Sequence, residues 1–529
     1  MLKDPFGRHL GVALAALSTA VFLGLMPAPA AAEQDTLRIQ INSDIRSTEP
    51  GTNRDANTDE VMLHVMEGLV AFREDASVGP LLAKSIEVSP DGRTYTFKLR
   101  DGISFHDGTP FRAEDVLFAW KRYMDPATVW RCQPEFGGDG ASHVVGVSAP
   151  DPMTVVFELA SPSALFLATM ARADCGETAI YPPSALDADG KWQQPIGTGP
   201  YKFGEWRRGE FVELLRNEHY SALPGVRDGA TGNKAPLVPK IRFLIIPDAA
   251  AAKAALLSGA VDIVPLIADT DLAELQAHRD ILIDNAPTME VNAILFQTRD
   301  PLLKDVRIRR AIVAALDLPQ LVDGIADGQS RPSYSVIPTP SAYYGPVEAA
   351  LPKRDLAAAR QLLTDAGYHG QPIKMVVNKR YDTMYRAAVL SQAMLAEAGI
   401  AVEIEVLDWA TELSRYTQGQ YQAMSFGYSA RLDPSLSYEM VSGDKAKQPR
   451  KVWDNPDGLA LLARSMQVSD KAARQAIFDQ MEALMRADVP MIPLYAVVQI
   501  GAARSVVEGY KNWALGQARG WGVSLKPGG

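Results

Sequence analysis

The 529-residue chain carries two cysteines, Cys132 and Cys175, too few for a disulfide-built scaffold or a four-cysteine zinc site. Its seven histidines are scattered, none within four residues of another, so no helix can present a zinc-binding pair. There is no Gly-x4-Gly-Lys-Ser/Thr phosphate loop and no Gly-x-Ser-x-Gly nucleophile elbow. Basic residues are in deficit, 53 against 63 acidic, and a net charge of −10 argues against a nucleic-acid surface. Long apolar runs are missing beyond position 32. What remains is ordinary globular arithmetic: 47% hydrophobic and 22% charged residues exclude both disorder and a multi-span membrane protein. At roughly 100–200 residues per domain, the length holds two to four packed units.

The first 32 residues set the compartment. Lys3 and Arg8 precede an apolar stretch over 11–26, followed by small residues over 27–32 with cleavage expected after Ala32. That is the three-part plan of a secretory signal peptide. The stretch falls short of the ~20 residues a membrane span needs, and no cysteine near the cleavage point supports a lipid anchor. The mature chain is expected to be exported and soluble. In an oxidising compartment Cys132 and Cys175 read as a disulfide worth about 2–4 kcal/mol. Two free thiols are the alternative.

Mixed strand and helix patterns fill the remainder. Alternation predicts strands over 36–42, 94–99, 154–158, 211–215 and 241–246; helical spacing predicts helices over 58–69, 116–123, 249–257, 305–316, 386–398 and 471–486. Ser89-Pro90-Asp91-Gly92 marks a hairpin. The pattern is α/β throughout.

The remaining motifs carry no reaction. In Gly197-Thr198-Gly199 the third glycine of a dinucleotide loop is misplaced, and Pro200 removes an amide that phosphate would need. Asp55-Ala56-Asn57-Thr58-Asp59 starts like a calcium loop but lacks its sixth-position glycine and twelfth-position glutamate, so it reads as a solvated turn before a helix. Acid pairs are plentiful, but none is marked as an acid/base dyad. No catalytic constellation, metal site or cofactor is called for. An exported α/β chain without chemistry is a candidate binder.

Several stretches resemble one family, the periplasmic solute-binding proteins (family 5) of ABC importers of peptide, opine and nickel type. The most specific is LAKSIEVSPDGRTYTFKLRDGISFHDGTPFRAEDVLFAWKRYMDP over 82–126. Others are PIGTGPYKFGEWRRGEFVELLRNEHY over 195–220, Ser258-Gly259-Ala260-Val261-Asp262, DVRIRRAIVAAL over 305–316, DLAAARQLLTDAGY over 355–368, Asp433-Pro434, and Ile492-Pro493-Leu494-Tyr495. They occur in the family's order and cover nearly all of the mature chain. The resemblance implies a type II periplasmic-binding-protein fold, with two lobes around a cleft plus an inserted third domain. By likeness the first lobe combines 33–76, 190–287 and 503–529, the insertion is 77–189 and the other lobe is 288–502. It also implies closure on a ligand and delivery to a membrane permease and its ATPase.

Ligand expectations rest on departures from the family pattern. Peptide-binding members place an aspartate shortly after a Gly-Trp pair, where it holds the peptide ammonium. The matching stretch is Gly427-Tyr428-Ser429-Ala430-Arg431-Leu432-Asp433, with Ala430 or Arg431 in place of that acid. A free amine loses its counter-charge, whereas an Arg431 facing the cleft suits carboxylate, phosphate or sulfate. Alternatively, Arg431 bridges to Asp433. In the early ligand-touching segment, Asn53-Arg54-Asp55-Ala56, Arg54 replaces an acid or else faces solvent. Trp409, Tyr428 and Trp130 complete the candidate ligand residues, beside Arg431, Arg54 and Ala56. The expectation is a monomeric, periplasmic, non-enzymatic binder of a peptide, an opine-like compound or another acidic conjugate. The alternatives are a secreted hydrolase and a ligand-presenting sensory or chaperone-like protein.

Overall fold

The strand Thr36–Ile41 pairs in parallel with Lys240–Ile245, from Thr36 opposite Lys240 to Ile41 opposite Ile245. Leu37, Ile39 and Phe243 are fully buried on one face and Thr36 and Gln40 are buried on the other, as a strand covered on both faces requires. Parallel neighbours need a crossover, and this one is some two hundred residues long, so it holds a layer of its own. In the computed structural model, which describes residues 35–138 and 140–526 (the Asp269 side chain apart), that crossover contains a four-stranded antiparallel sheet. Its order is Ala83–Val88, Thr94–Leu99, Thr154–Leu159, Val144–Asp151. The expected leader over 1–32 lies outside the described residues. Among those described, no helix is long and apolar enough to cross a membrane.

The large sheet has ten strands. One edge half carries Val402–Leu407, Ile373–Asn378 and Ala423–Tyr428; the other carries Ile263–Val264, Thr36–Ile41, Lys240–Ile245, Phe211–Arg216 and Tyr201–Arg207. Between them run two long antiparallel strands, Ile281–Phe296 and Met491–Arg504. Their register is continuous from Ile281 opposite Arg504 to Pro287 opposite Val498, then resumes at Val291 opposite Ala496. Residues 288–290 therefore bulge out against Val497 alone. Pro287 has no amide to continue the ladder, while the Thr288 hydroxyl donates to the Val497 carbonyl at 2.9 Å and fixes the bulge.

The expected helix over 58–69 is shorter, Ala56–Met62. The carbonyls of His64 and Val65, which would accept from the next turn, instead accept from the Tyr201 amide at 3.0 Å and the Gly199 amide at 3.1 Å. A Cβ at Gly197 or Gly199 would collide with these same carbonyls, which explains Gly197-Thr198-Gly199 as a packing loop. Asp55 caps this helix, accepting from the Thr58 amide at 2.9 Å.

The small sheet shares one continuous apolar core with the strands around Thr36–Ile41, through residues such as Phe72, Trp120, Phe157 and Trp521. Cys132 and Cys175, 43 residues apart, are joined in a buried disulfide within it. Replacing both by alanine is expected to lower stability by about 2–4 kcal/mol, measured by urea unfolding. An unchanged midpoint would show that the core alone holds the crossover.

Candidate functional site

The strand Ala423–Tyr428 ends where the chain turns into the helix Pro434–Val441. Asp433 caps that helix by accepting from the Ser435 amide at 2.8 Å. Its carboxylate is also gripped by both terminal nitrogens of Arg474, at 2.7 and 2.6 Å, with the two side chains almost fully buried. The grip is bidentate and charge-assisted, it turns Asp433 toward Arg474, and no ion pair between Asp433 and Arg431 forms among the described residues, so the bridged alternative is set aside. Arg431 reaches only the Ser429 hydroxyl at 3.0 Å and the Ser429 and Ala430 carbonyls at 3.4 and 2.9 Å. It has no carboxylate partner among the described residues.

Two cavities meet at this arginine. One, of about 510 Å³, is lined by Arg54, Ala56, Phe72, Leu165, Leu436 and Leu515, among others. The second, of about 520 Å³, is lined by Trp409, Tyr428, Tyr381, Phe426, Glu290 and Arg450. Arg431 lines both. Both sizes suit small-molecule ligands. Among the described residues, neither cavity is lined by a histidine or a cysteine.

Five of the six sequence-derived candidates line these cavities. Trp409 opens the helix Trp409–Gln418, capped by Asp408, and lies against Phe426 with ring centroids 5.9 Å apart and edge-on to Tyr381 at 5.1 Å. Tyr428 is buried at the strand end, and burial pushes its hydroxyl pKa well up. Ala56 is exposed at the first turn of its helix. Arg54 is half-buried and already paired, its guanidinium bonded to both oxygens of Asp59; it neither faces solvent nor stands free for a ligand. Trp130 is the exception. It is buried against Phe136 and Tyr123 and donates to the Cys175 carbonyl at 2.9 Å, so it belongs to the crossover core.

Sequence reasoning missed Glu290, Arg450 and Tyr381. Glu290 lies in the bulge after Pro287 and lines the aromatic cavity, and a proline interrupting a strand pattern was its only sequence signal. The other charges on the first cavity are matched: Arg131 and Arg172 to Asp174, Arg172 also to Glu135, Arg54 to Asp59.

Burial decides several nearby protonation states. It raises Asp59 to about 7 despite its bonds to Arg54, Glu60 to about 8, and Glu177 to about 8. All three folded values lie above the unfolded ones. The native state therefore holds protons the unfolded state has released, and that stability is complete below about pH 4 and lost as pH rises through 7–8. The melting temperature is expected to fall between pH 5.5 and 8.5, and Glu60→Gln to flatten the fall; a variant with the parent's slope would refute this account.

Residues 77–448 match the model of the bacterial extracellular solute-binding proteins, family 5, middle region. Heme-binding protein A of Haemophilus influenzae is 26% identical over 501 residues, covering 90% of this chain and 88% of that protein. The glutathione-binding protein GsiB of Shigella dysenteriae is 26% identical over 504 residues, covering 93% and 94%. Among solved structures, HbpA2 from Haemophilus parasuis superposes with a TM-score of 0.79 at 26% identity, over 93% of this chain and all of that one.

Proposed function

The chain belongs to the bacterial extracellular solute-binding proteins of family 5, and from that premise we propose that, as the substrate-binding component of an ABC importer, it takes a small solute whose anionic group docks on Arg431. The observation that carries this reading is the state of that side chain. Arg431 stands at the junction of two cavities with hydrogen bonds only to its own loop, while the neighbouring acid, Asp433, is committed to Arg474. A guanidinium held in a recess without a counter-ion is a ready partner for carboxylate or phosphate.

The ligand is held and handed on, not transformed. The first lobe combines 33–76, 190–287 and 503–529, the insertion is 77–189, and the second lobe is 288–502. The interrupted pairing at Pro287–Val291 is where the long strands flex as the lobes close, because a bulge bends with the loss of few ladder bonds. The mature protein works as a monomer in the periplasm after removal of residues 1–32, passing its cargo to a permease driven by an ATPase.

The test is a thermal-shift screen of refolded, ligand-free protein against acids and their amides. A ligand at 100 times its dissociation constant adds about 2.7 kcal/mol to native stability. Acids are expected to raise the midpoint and their amides not to. Arg431→Ala is expected to weaken acid binding about tenfold or more, the scale of a lost charged hydrogen bond. Full affinity in that variant would defeat the proposal.

A further inference from the structure

Three charged side chains line the aromatic cavity without an ion pair among the described residues: Arg431, Arg450 and Glu290. Arg450 and the Glu290 carboxylate make no hydrogen bond to another described side chain either; at Glu290 only the backbone amide is engaged, donating to the Thr288 hydroxyl at 3.2 Å. Elsewhere around the two cavities each carboxylate and guanidinium has an opposite partner. The uncompensated set is thus two positive charges and one negative, over a wall made by Trp409, Tyr381, Phe426 and Tyr428.

We propose that the ligand is an amino-dicarboxylate, a compound with two carboxylates and one ammonium group, whose acids are taken by Arg431 and Arg450 and whose ammonium is taken by Glu290. This rests on the Arg431 reading above and extends it. A site whose walls present two guanidiniums and one carboxylate is neutralised by a ligand of the inverse charge set; a plain diacid leaves Glu290 uncompensated, and a simple amine leaves both arginines so. Glu290 is exposed and both arginines are half-buried, so the cost arises when a ligand covers a charge without supplying its opposite, and that cost selects between ligands. The absence of an acid at position 430 or 431 therefore does not strip a bound amine of its counter-charge. The acid comes instead from the bulge between the long strands. The adjoining cavity, whose charges other than Arg431 are already paired and whose wall includes Phe72, Leu165, Leu436 and Leu515, takes the ligand's uncharged side chain.

Such a charge set occurs in N-carboxyalkyl amino acids, where the ammonium lies between the acids, and in γ-glutamyl peptides, where it lies beside one of them. Calorimetric titration with N-(1-carboxyethyl)phenylalanine and γ-glutamyl-alanyl-glycine separates these sources. Each is compared with its N-acetyl derivative and its mono-amide. At least one parent compound is expected to bind about tenfold or more tighter than both derivatives. Glu290→Gln is expected to erase the preference over the N-acetyl form, and Arg450→Gln the preference over a mono-amide. Both variants alter side chains at the cavity wall, and matching melting temperatures establish that they fold. A wild type that binds neither parent, or variants that keep the full discrimination, would overturn the inference. If Arg431→Ala still costs acid affinity in that case, the failure is confined to the amino-dicarboxylate; if Arg431→Ala costs nothing, the Arg431 reading fails as well.

Discussion

The pairing of Ile281–Phe296 with Met491–Arg504 is the constraint on which the remainder of the molecule depends. These strands join the two halves of the ten-stranded sheet, and the two cavities that meet at Arg431 lie beside their pairing, Glu290 and Val497 lining one of them. Val291 pairs with Tyr428 on one side and with Ala496 on the other, which puts the end of the Ala423–Tyr428 strand, and hence Arg431, beside the interruption. The bulge sets three residues, 288–290, against Val497 alone, two more than a regular ladder, so the alternation on either side is unchanged and only the looped-out residues are displaced. Glu290 is one of those looped-out residues and lines the aromatic cavity.

A second organising element is the disposal of buried charge. Arg474 with Asp433 and Lys234 with Glu67 are nearly or wholly excluded from water. Such pairs contribute little net stability, but losing one partner is expensive. Their effect is to remove alternatives: Asp433 is turned toward Arg474 and forms no ion pair with Arg431, and Arg54 held by Asp59 cannot compete for an anion. Pairing at some positions leaves others free, and the free ones define what the recess can bind. The raised carboxyl pKa values around Asp59, Glu60 and Glu177 have the same origin, since burial there outweighs the partners available.

Local elements were largely legible. The strands Thr94–Leu99, Thr154–Leu159 and Lys240–Ile245 and the helices Ala249–Ser258 and Lys471–Asp488 lie close to where alternation and helical spacing put them. The helix after Asp55 ended early because its carbonyls bond to Gly199 and Tyr201, a tertiary contact no window of sequence contains. Trp130 and Trp409 illustrate the same boundary at the site. Both are large aromatics in promising places, yet one is sealed beside the disulfide and the other lines a cavity, and that difference lies in their neighbours.

By itself the sequence determined the α/β class, the cysteine pair and the presence of Arg431, Tyr428 and Trp409, because these follow from residue type and short-range spacing; an inserted layer was implied only by the resemblance to the family. Whether Arg431 is free was decided by Arg474, which lies 41 residues from Asp433. Whether an amine could find a counter-charge was decided by the position of Glu290, in the bulge between the long strands and on the wall shared with Arg450 and Trp409. Charge compensation depends on distance in space, and only the folded chain sets those distances.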